Sequence, residues 1–568
     1  MLWREDMYKK GIFIFLAIIA AVLTLTLLIK DTDVLNKQNK QSNKDNEENN
    51  QLTETNTTSP NQLIETIISN AEKGRIPDFP FIAGETSFKE VINELGDPQS
   101  LTHTVSGNYA NFQQSDLSIG YELSNVFDIR LNNSILNEIH LEELKEFAGE
   151  PDQITYYKDQ TTDQIILTYH VNSSYKLKWI FSKPNEQDPN PTVHHISVVT
   201  QAHEQLTQTI SEMTLDEKIG QMIFAGISGT VVDQQTENLI LHDKIGGIIF
   251  FNRNLNSPSQ ILKLLNNLKK VNSNNNFPLF FGIDEEGGQI SRLQSAFTPL
   301  PSNQVVGQVN NVSFAYELGT ILGKELSTFG FNLDFAPVLD VNSNPNNPVI
   351  GNRSYGNNKD LVAKLGVETM KGIQSKNVIS VIKHFPGHGD TSVDSHYELP
   401  LVNKSKEELQ QLELIPFKKA IAEGADVIMI AHILLPKIDP SSPASMSKTI
   451  IDGLLRDELS FDGVVITDDL TMEAITDNYS ISRASVESIK AGSDIILIAH
   501  NYENITSSVQ AIKNAINNGE LSEQRINDSV RRILLLKEKY KLTNSQINEA
   551  NVDEINELIN QLEEKYNS

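Results

Sequence analysis

The chain contains no cysteine, which removes disulfides, thiolate nucleophiles and cysteine-bound zinc from consideration. Cations are also in short supply: 47 Lys and Arg stand against 74 Asp and Glu, for a formal net charge of −27. A field of that sign repels nucleic acid and anionic headgroups, so no nucleic-acid partner is expected. The lack of cysteine also suits an oxidising exterior. A length of 568 residues is too great for one ordinary domain, and a large barrel with a smaller module is the starting expectation.

One long hydrophobic run is present. Gly11 to Ile29 is apolar apart from Thr, close to the ~20 residues a helix needs to span a bilayer. Arg4, Lys9 and Lys10 precede it, which by the positive-inside rule keeps the N-terminus cytoplasmic and sends the rest outside. Residues 1–30 therefore read as an uncleaved signal anchor that ties the protein to the cell membrane with its catalytic part extracellular. A cleaved signal peptide and secretion is the competing reading. Residues 31–60 are Asn, Gln, Lys, Glu, Ser and Thr without an aromatic side chain, too polar to offset chain entropy, and read as a disordered tether.

Residues 61–200 read as a small α+β domain with an internal repeat. Glu90-Val91-Ile92-Asn93-Glu94-Leu95-Gly96-Asp97-Pro98 is echoed by Glu143-Leu144-Lys145-Glu146-Phe147-Ala148-Gly149-Glu150-Pro151. Each copy predicts a short amphipathic helix ended by Gly, with Pro blocking continuation. Alternating stretches such as Ile165 to Tyr169 and Tyr175 to Phe181 predict antiparallel strands. The Gly-acid-Pro corners weakly resemble small secreted domains of the β-lactamase-inhibitor-protein type. A wall-binding or partner-binding role and a plain spacer are both compatible with this composition.

Residues 204–541 have a regular rhythm. Apolar runs at 221–227, 245–251, 279–283, 333–338, 378–382, 427–431, 463–467 and 494–498 predict eight strands. Helix-period segments lie between them, among them 257–271, 314–329, 360–375, 406–422 and 482–491. Because parallel strands need crossover helices, this alternation predicts an α/β fold of the (β/α)8 TIM-barrel type, with a helical tail at 542–568. An open doubly wound sheet shares the alternation. The strand ends favour the barrel: Asp284-Glu285-Glu286, Asp340, Lys383-His384, His432 and Asp468-Asp469 would converge on one mouth, whereas an open sheet would scatter them along an edge.

Five motifs recur in order along this segment: Ile283-Asp284-Glu285-Glu286-Gly287-Gly288, Gly351-Asn352-Arg353-Ser354-Tyr355-Gly356, Lys383-His384-Phe385-Pro386-Gly387-His388-Gly389-Asp390, Asp394-Ser395-His396 and Thr467-Asp468-Asp469-Leu470-Thr471-Met472. Together they resemble glycoside hydrolase family 3, in its β-N-acetylglucosaminidase branch. The resemblance implies a retaining enzyme that removes non-reducing terminal N-acetylglucosamine from peptidoglycan fragments (muropeptides), with no cofactor and no metal.

A retaining glycosidase needs a carboxylate to attack the anomeric carbon and, about 5 to 5.5 Å away, a group that protonates the leaving oxygen. Asp468 matches the family nucleophile, although its neighbour Asp469 is chemically equivalent. One of the pair could instead cap the helix that follows. The resemblance assigns acid–base duty to Asp394 with His396, two residues apart and able to lie on one side of an extended stretch. Ionised Asp394 would then fix the imidazole tautomer and favour its protonated form. Asp284 suits hydroxyl recognition at a strand end, and Arg353, Lys383 and His384 match family positions that hold the O3 and O4 side of the sugar. Rival readings are a metal-dependent barrel hydrolase, built on His384, His388, Asp390, Asp394 and His396, and a phosphorylase that uses the same site.

Overall fold

The structure, a computed structural model, describes residues 59–104, 107–392 and 399–566. The expected anchor, nearly all of the tether, and Asp394 and His396 lie outside the described residues. Among the described residues, no helix is long and apolar enough to cross a membrane. Residues 60–568 belong to one compact unit.

That unit contains two eight-stranded sheets. The first is antiparallel and comprises β1 (Ser100–Thr104), β2 (Gly107–Phe112), β3 (Leu117–Glu122), β4 (Asn125–Leu131), β5 (Gln153–Lys158), β6 (Asp163–His170), β7 (Tyr175–Ser182) and β8 (Val193–Thr200). Its order, β1-β2-β3-β4-β8-β7-β6-β5, is that of two four-stranded meanders joined through β4 and β8. The sequence repeat is the source of this symmetry. Helix Phe88–Leu95 opens the first meander and Leu141–Ala148 opens the second, ended by Gly96 at φ 79° and Gly149 at φ 79°. A side chain is disfavoured at such a φ, so glycine stops both helices at the same point. Trp179, Phe181, Leu167 and Val198 fill the face that the helices cover.

The second sheet is parallel: β9 (Ile223–Gly226), β10 (Gly247–Phe250), β11 (Phe280–Ile283), β12 (Leu333–Asp334), β13 (Ile379–Phe385), β14 (Val427–Ile430), β15 (Val464–Thr467) and β16 (Ile496–Ile498). Each neighbours the next in sequence, and β16 pairs with β9. Its two ends meet through a parallel bridge between Ile466 and Ile495, so the sheet curls into a near-barrel. Seven of these strands are buried at every residue and β9 at all but Gly226, as parallel strands covered by helices must be. Phe224 and Phe335 meet edge to face at 5.6 Å inside.

Three expectations need correction. The fourth strand was expected over 333–338 but pairs regularly only at Leu333–Asp334. Pro337 has no N–H to give the ladder, and contact resumes only at the Val338–Lys383 bridge. The fifth strand continues to Phe385 rather than ending near 382, so Lys383 and His384 stand on the strand and not on the loop after it. The helix expected over 406–422 is two helices, Lys406–Gln411 and Leu414–Ala422. They part where Glu413 turns inward to Lys404.

The antiparallel sheet docks against the amino ends of the parallel strands. Asn108 donates to Asp462, just before β15, at 2.8 Å, and Lys89 donates to the carbonyl of Ala422, before β14, at 2.9 Å. Glu122 pairs with Arg531, whose Nη2 lies 2.7 Å from Nδ1 of His203. The carboxyl ends of the barrel strands therefore open on the opposite side.

Candidate active site

At those carboxyl ends lies a cavity of about 380 Å³. Asp284, Arg353, Lys383, His384 and Asp468, all singled out from the sequence, line it. They come from the ends of β11, β13 and β15 and from the loop after β12, so the shared polarity of the strands brings together residues far apart in sequence.

One wall is an ion lattice. Lys383 Nζ donates to Asp284 Oδ1 at 2.7 Å and lies 2.7 Å from Glu286 Oε1. Arg353 grips Glu286 with two donors, Nε at 2.9 Å and Nη2 at 2.7 Å. The paired geometry fixes the plane of the guanidinium as well as its place. Burial opposes charge on Glu286, but Arg353 and Lys383 outweigh it and hold its carboxyl well below the usual range. Burial likewise opposes the Lys383 ammonium, and Asp284 and Glu286 reverse the effect and raise its pKa. Glu286 thus anchors the two cations that face the cavity. The sequence motif contained it without giving it a role.

His384 is held from behind. Its Nδ1 lies 2.7 Å from Oδ2 of the fully buried Asp340, whose ionised oxygens only accept, so the proton sits on Nδ1. Nε2 then faces Arg353 Nη2 at 3.5 Å. Burial works against the charge of Asp340, and His384 is the strongest of the groups that keep its pKa low. Asp340 also accepts from the His388 backbone at 2.6 Å, which ties the start of the following loop to the strand. In that loop Gly387 has φ 129°, and a Cβ on Gly389 would stand 1.8 Å from the Val341 carbonyl, so neither position tolerates a side chain.

The opposite wall separates the two adjacent aspartates. Asp469 accepts from the backbones of Thr471 at 2.9 Å and Ala499 at 3.0 Å, and from the Thr471 hydroxyl. Its carboxyl is committed to closing the turn and joining β15 to β16. Asp468 accepts only the Asp469 N–H, at 2.8 Å on Oδ1, which leaves Oδ2 without a hydrogen bond among the described residues. Burial disfavours its ionisation, but His432, His384, the Asp469 N–H and Lys383 together lower its pKa. His432 lies behind this wall, with Nε2 3.1 Å from the Asp469 carbonyl and Nδ1 2.8 Å from the Ser445 hydroxyl, while Met472 lines the cavity.

Arg292 was missed from the sequence. Its Nη2 comes within 3.5 Å of Asp284 Oδ2, and it lines the cavity. Glu285, buried and turned away, accepts from the Arg292 and Leu293 backbones at 2.8 and 3.1 Å and so holds this turn. The only signal in the sequence was an Arg shortly after the Gly287-Gly288 corner.

Three members of the suggested metal set have other partners: His384 meets Asp340, His388 meets the Thr391 hydroxyl, and Asp390 meets Lys404 and Ser343. Among the described residues no group of three or more His, Asp or Glu side chains is placed to hold a metal ion.

Comparison with known proteins agrees with this geometry. Residues 214–536 match the model of the glycosyl hydrolase family 3 N terminal domain. The chain belongs to glycoside hydrolase family 3. Residues 64–199 match a domain of unknown function, DUF4309. A β-hexosaminidase of Nitrosomonas eutropha is 32% identical over 55% of this chain and 91% of its own length. The β-hexosaminidase A of Pseudoalteromonas piscicida is 36% identical over 57% of this chain, which spans only 58% of that protein. Among solved structures, a family 3 β-N-acetylglucosaminidase from Paenibacillus sp. is 43% identical, covering 62% of this chain and 69% of its own, with a TM-score of 0.59. These likenesses place the protein with the glycoside hydrolases of the β-N-acetylglucosaminidase branch of family 3.

Proposed function

We propose that the protein is a retaining exo-β-N-acetylglucosaminidase that hydrolyses non-reducing terminal N-acetylglucosamine from peptidoglycan fragments on a (β/α)8 barrel. The observation that carries this reading is the contrast across the cavity: Asp468 keeps an unengaged carboxylate oxygen at a rigid strand end, opposite a lattice of hydroxyl-binding groups. In this reading the sugar's hydroxyls bind to Asp284, Lys383, Arg353 and His384, which accept and donate from fixed positions. Asp468 then attacks the anomeric carbon to form a glycosyl-enzyme. The lattice's cations and the neighbouring imidazoles favour the anionic form that nucleophilic attack needs.

Acid–base duty goes to Asp394 and His396, on the strength of their match to the family motif. The imidazolium protonates the leaving oxygen and the neutral ring then deprotonates the water that releases the sugar. Peptidoglycan as the source, residues 61–200 as a separate domain, and an extracellular barrel behind a membrane anchor at 1–30 are parts of the same proposal. The last rests on the apolar run at 11–29 and the cations before it.

The test is hydrolysis of an aryl β-N-acetylglucosaminide followed by proton NMR. The β-anomer of free N-acetylglucosamine is expected first. An α-anomer formed first overturns retention, and no release of sugar overturns the activity.

A further inference from the structure

The antiparallel sheet ends in a bare strand. β5 stands last in its order with β6 alone beside it among the described strands, while β2 and β3, whose Asn108 and Glu122 meet the barrel, belong to the other half of the sheet. Five of its six residues are exposed and the sixth is half-buried. Ile154 is 40% exposed and Tyr156 63%, yet they pair across to Leu167 and Ile165, which are buried in the core of the sheet. The apolar face therefore runs on to β5 and ends there in solvent.

The hairpin to β6 fixes which backbone groups of β5 are open. Asp159 donates to the Thr162 carbonyl at 2.9 Å, in the register that pairs Lys158 with Asp163, and on the far side of β6 Lys183 donates to the Asp163 carbonyl at 2.9 Å. Hydrogen-bonded and non-bonded pairs alternate along an antiparallel ladder. Gln153, Thr155 and Tyr157 thus turn their N–H and C=O to β6, while Ile154, Tyr156 and Lys158 turn theirs to the open edge. We infer that this edge pairs antiparallel with a second copy of itself, about a twofold axis at Thr155, and so joins two molecules through one continuous sheet. That register sets Ile154 opposite Tyr156 of the partner subunit, twice, on the apolar face they share. It also sets Lys158 opposite Asp152 of the partner subunit, so unlike charges meet at both ends of the contact. The open N–H and C=O groups of Ile154 and Tyr156 all gain partners. A twofold contact uses up the edge on both molecules, so assembly stops at a dimer.

Because the chain has no cysteine, the register can be read by a single cross-link. On the axis the two Thr155 Cα atoms stand about 4.5 Å apart, as in any non-hydrogen-bonded pair, and a disulfide spans about 4.4 to 6.8 Å. In the full chain, kept in mild detergent because of the apolar run at 11–29, Thr155→Cys is expected to form a disulfide-linked dimer almost completely on mild oxidation. Tyr157→Cys faces Gln153 of the partner subunit, about 13 Å along the strand from its own copy, and is expected to stay free. Light scattering at about 100 µM, a concentration suited to a small contact, should give a dimer for the wild type and a monomer for Ile154→Lys. The melting temperature of Ile154→Lys should match the wild type, since the replaced side chain already reaches solvent. Failure of Thr155→Cys to cross-link, equal cross-linking of both cysteines, a monomeric wild type, or a dimer untouched by Ile154→Lys each overturns the pairing. A series of ever larger species marks β1 of one molecule on β5 of the next and overturns it too. Mass and linkage are the readouts, so the outcome stands apart from the glycosidase reading.

Discussion

The antiparallel sheet and the parallel near-barrel each have eight strands, yet only one gathers a site. In the antiparallel sheet alternate strands point opposite ways, so its strand ends are divided between two edges. Its buried charge is closed on itself: Asp128 takes the Ser197 hydroxyl at 2.6 Å, Arg130 at 2.8 Å and the Tyr109 hydroxyl at 3.0 Å. In the near-barrel every strand points the same way, and Asp284, Lys383 and Asp468 reach one cavity. Buried charge there remains open on the side that a ligand would occupy. Topology, more than composition, decides whether a charged cluster is a brace or a site.

The sharpest way to break this contrast is at the β15 end. Asp468→Ala should lower kcat on an aryl β-N-acetylglucosaminide by about 10³-fold or more, as loss of a covalent nucleophile does. Asp469→Ala should reduce it less and lower the melting temperature, since its carboxyl holds the turn to Thr471 and Ala499. Equal losses in both, or none in the first, would assign the nucleophile wrongly. Next in size is Arg353→Met, which leaves Glu286 with Lys383 as its only strong cation. Truncating one side of a buried hydrogen-bonded pair costs about 2 to 5 kcal/mol, and kcat/KM is expected to fall about 30-fold by the low end of that range. Arg353→Lys keeps the charge but loses the fork, and should recover only part.

A brace should behave differently. Asp128→Ala removes the acceptor shared by Ser197, Arg130 and Tyr109, and unfolding free energy should drop by about 2 kcal/mol. The figure is at the low end because the Arg130 side chain is 38% exposed and can turn to water. Denaturant unfolding gives the stability, and kcat/KM per folded molecule should stay within about twofold of wild type on additivity between distant sites. A large loss of activity would show that the antiparallel sheet is coupled to the cavity after all.

Much of this was legible in the chain, for reasons that differ by element. The eight parallel strands were visible because full burial makes them short apolar runs, and their polar ends marked the mouth. The two Gly-ended helices of the antiparallel half were visible because a left-handed stop needs glycine. Between Asp468 and Asp469 the sequence could not choose, since the distinction lies in which carboxyl the Thr471 and Ala499 amides engage. Glu286, Asp340 and Arg292 went unassigned for a similar reason. Each acts through a partner between 8 and 97 residues away in sequence: Arg292 on Asp284, Asp340 on His384, and Glu286 on Arg353 and Lys383. The break at 412–413 was hidden because the residues around it have ordinary helix formers, and only the inward ion pair of Glu413 with Lys404 reveals it.

A last comparison sets a histidine of the antiparallel sheet against one in the loop after β13. His195 in β8 and His388 beside the cavity are both pushed down to about 4 from 6.5, first by burial and then by a neighbouring imidazole, His194 in one case and His384 in the other. Between about pH 6.5 and 4 the unfolded chain binds protons that the folded one refuses, so each histidine contributes stability that is present above 6.5 and lost as pH falls toward 4. Glu285 has the opposite sign: burial raises it from 4.5 to about 7, so the folded state holds its proton longer and its contribution fades as pH rises through that window. Unfolding free energy measured from pH 4 to 7 should lose slope in His195→Gln and in His388→Gln, by at most about 1.4 kcal/mol per pH unit each. The two changes should add, because His195 lies in β8 and His388 in the loop after β13, with different neighbouring groups acting on each. Glu285→Gln should steepen the same curve by removing the opposing contribution. A slope unchanged in His195→Gln would mean that β8 keeps its imidazole accessible to protons, and that burial in the antiparallel sheet is looser than at the cavity.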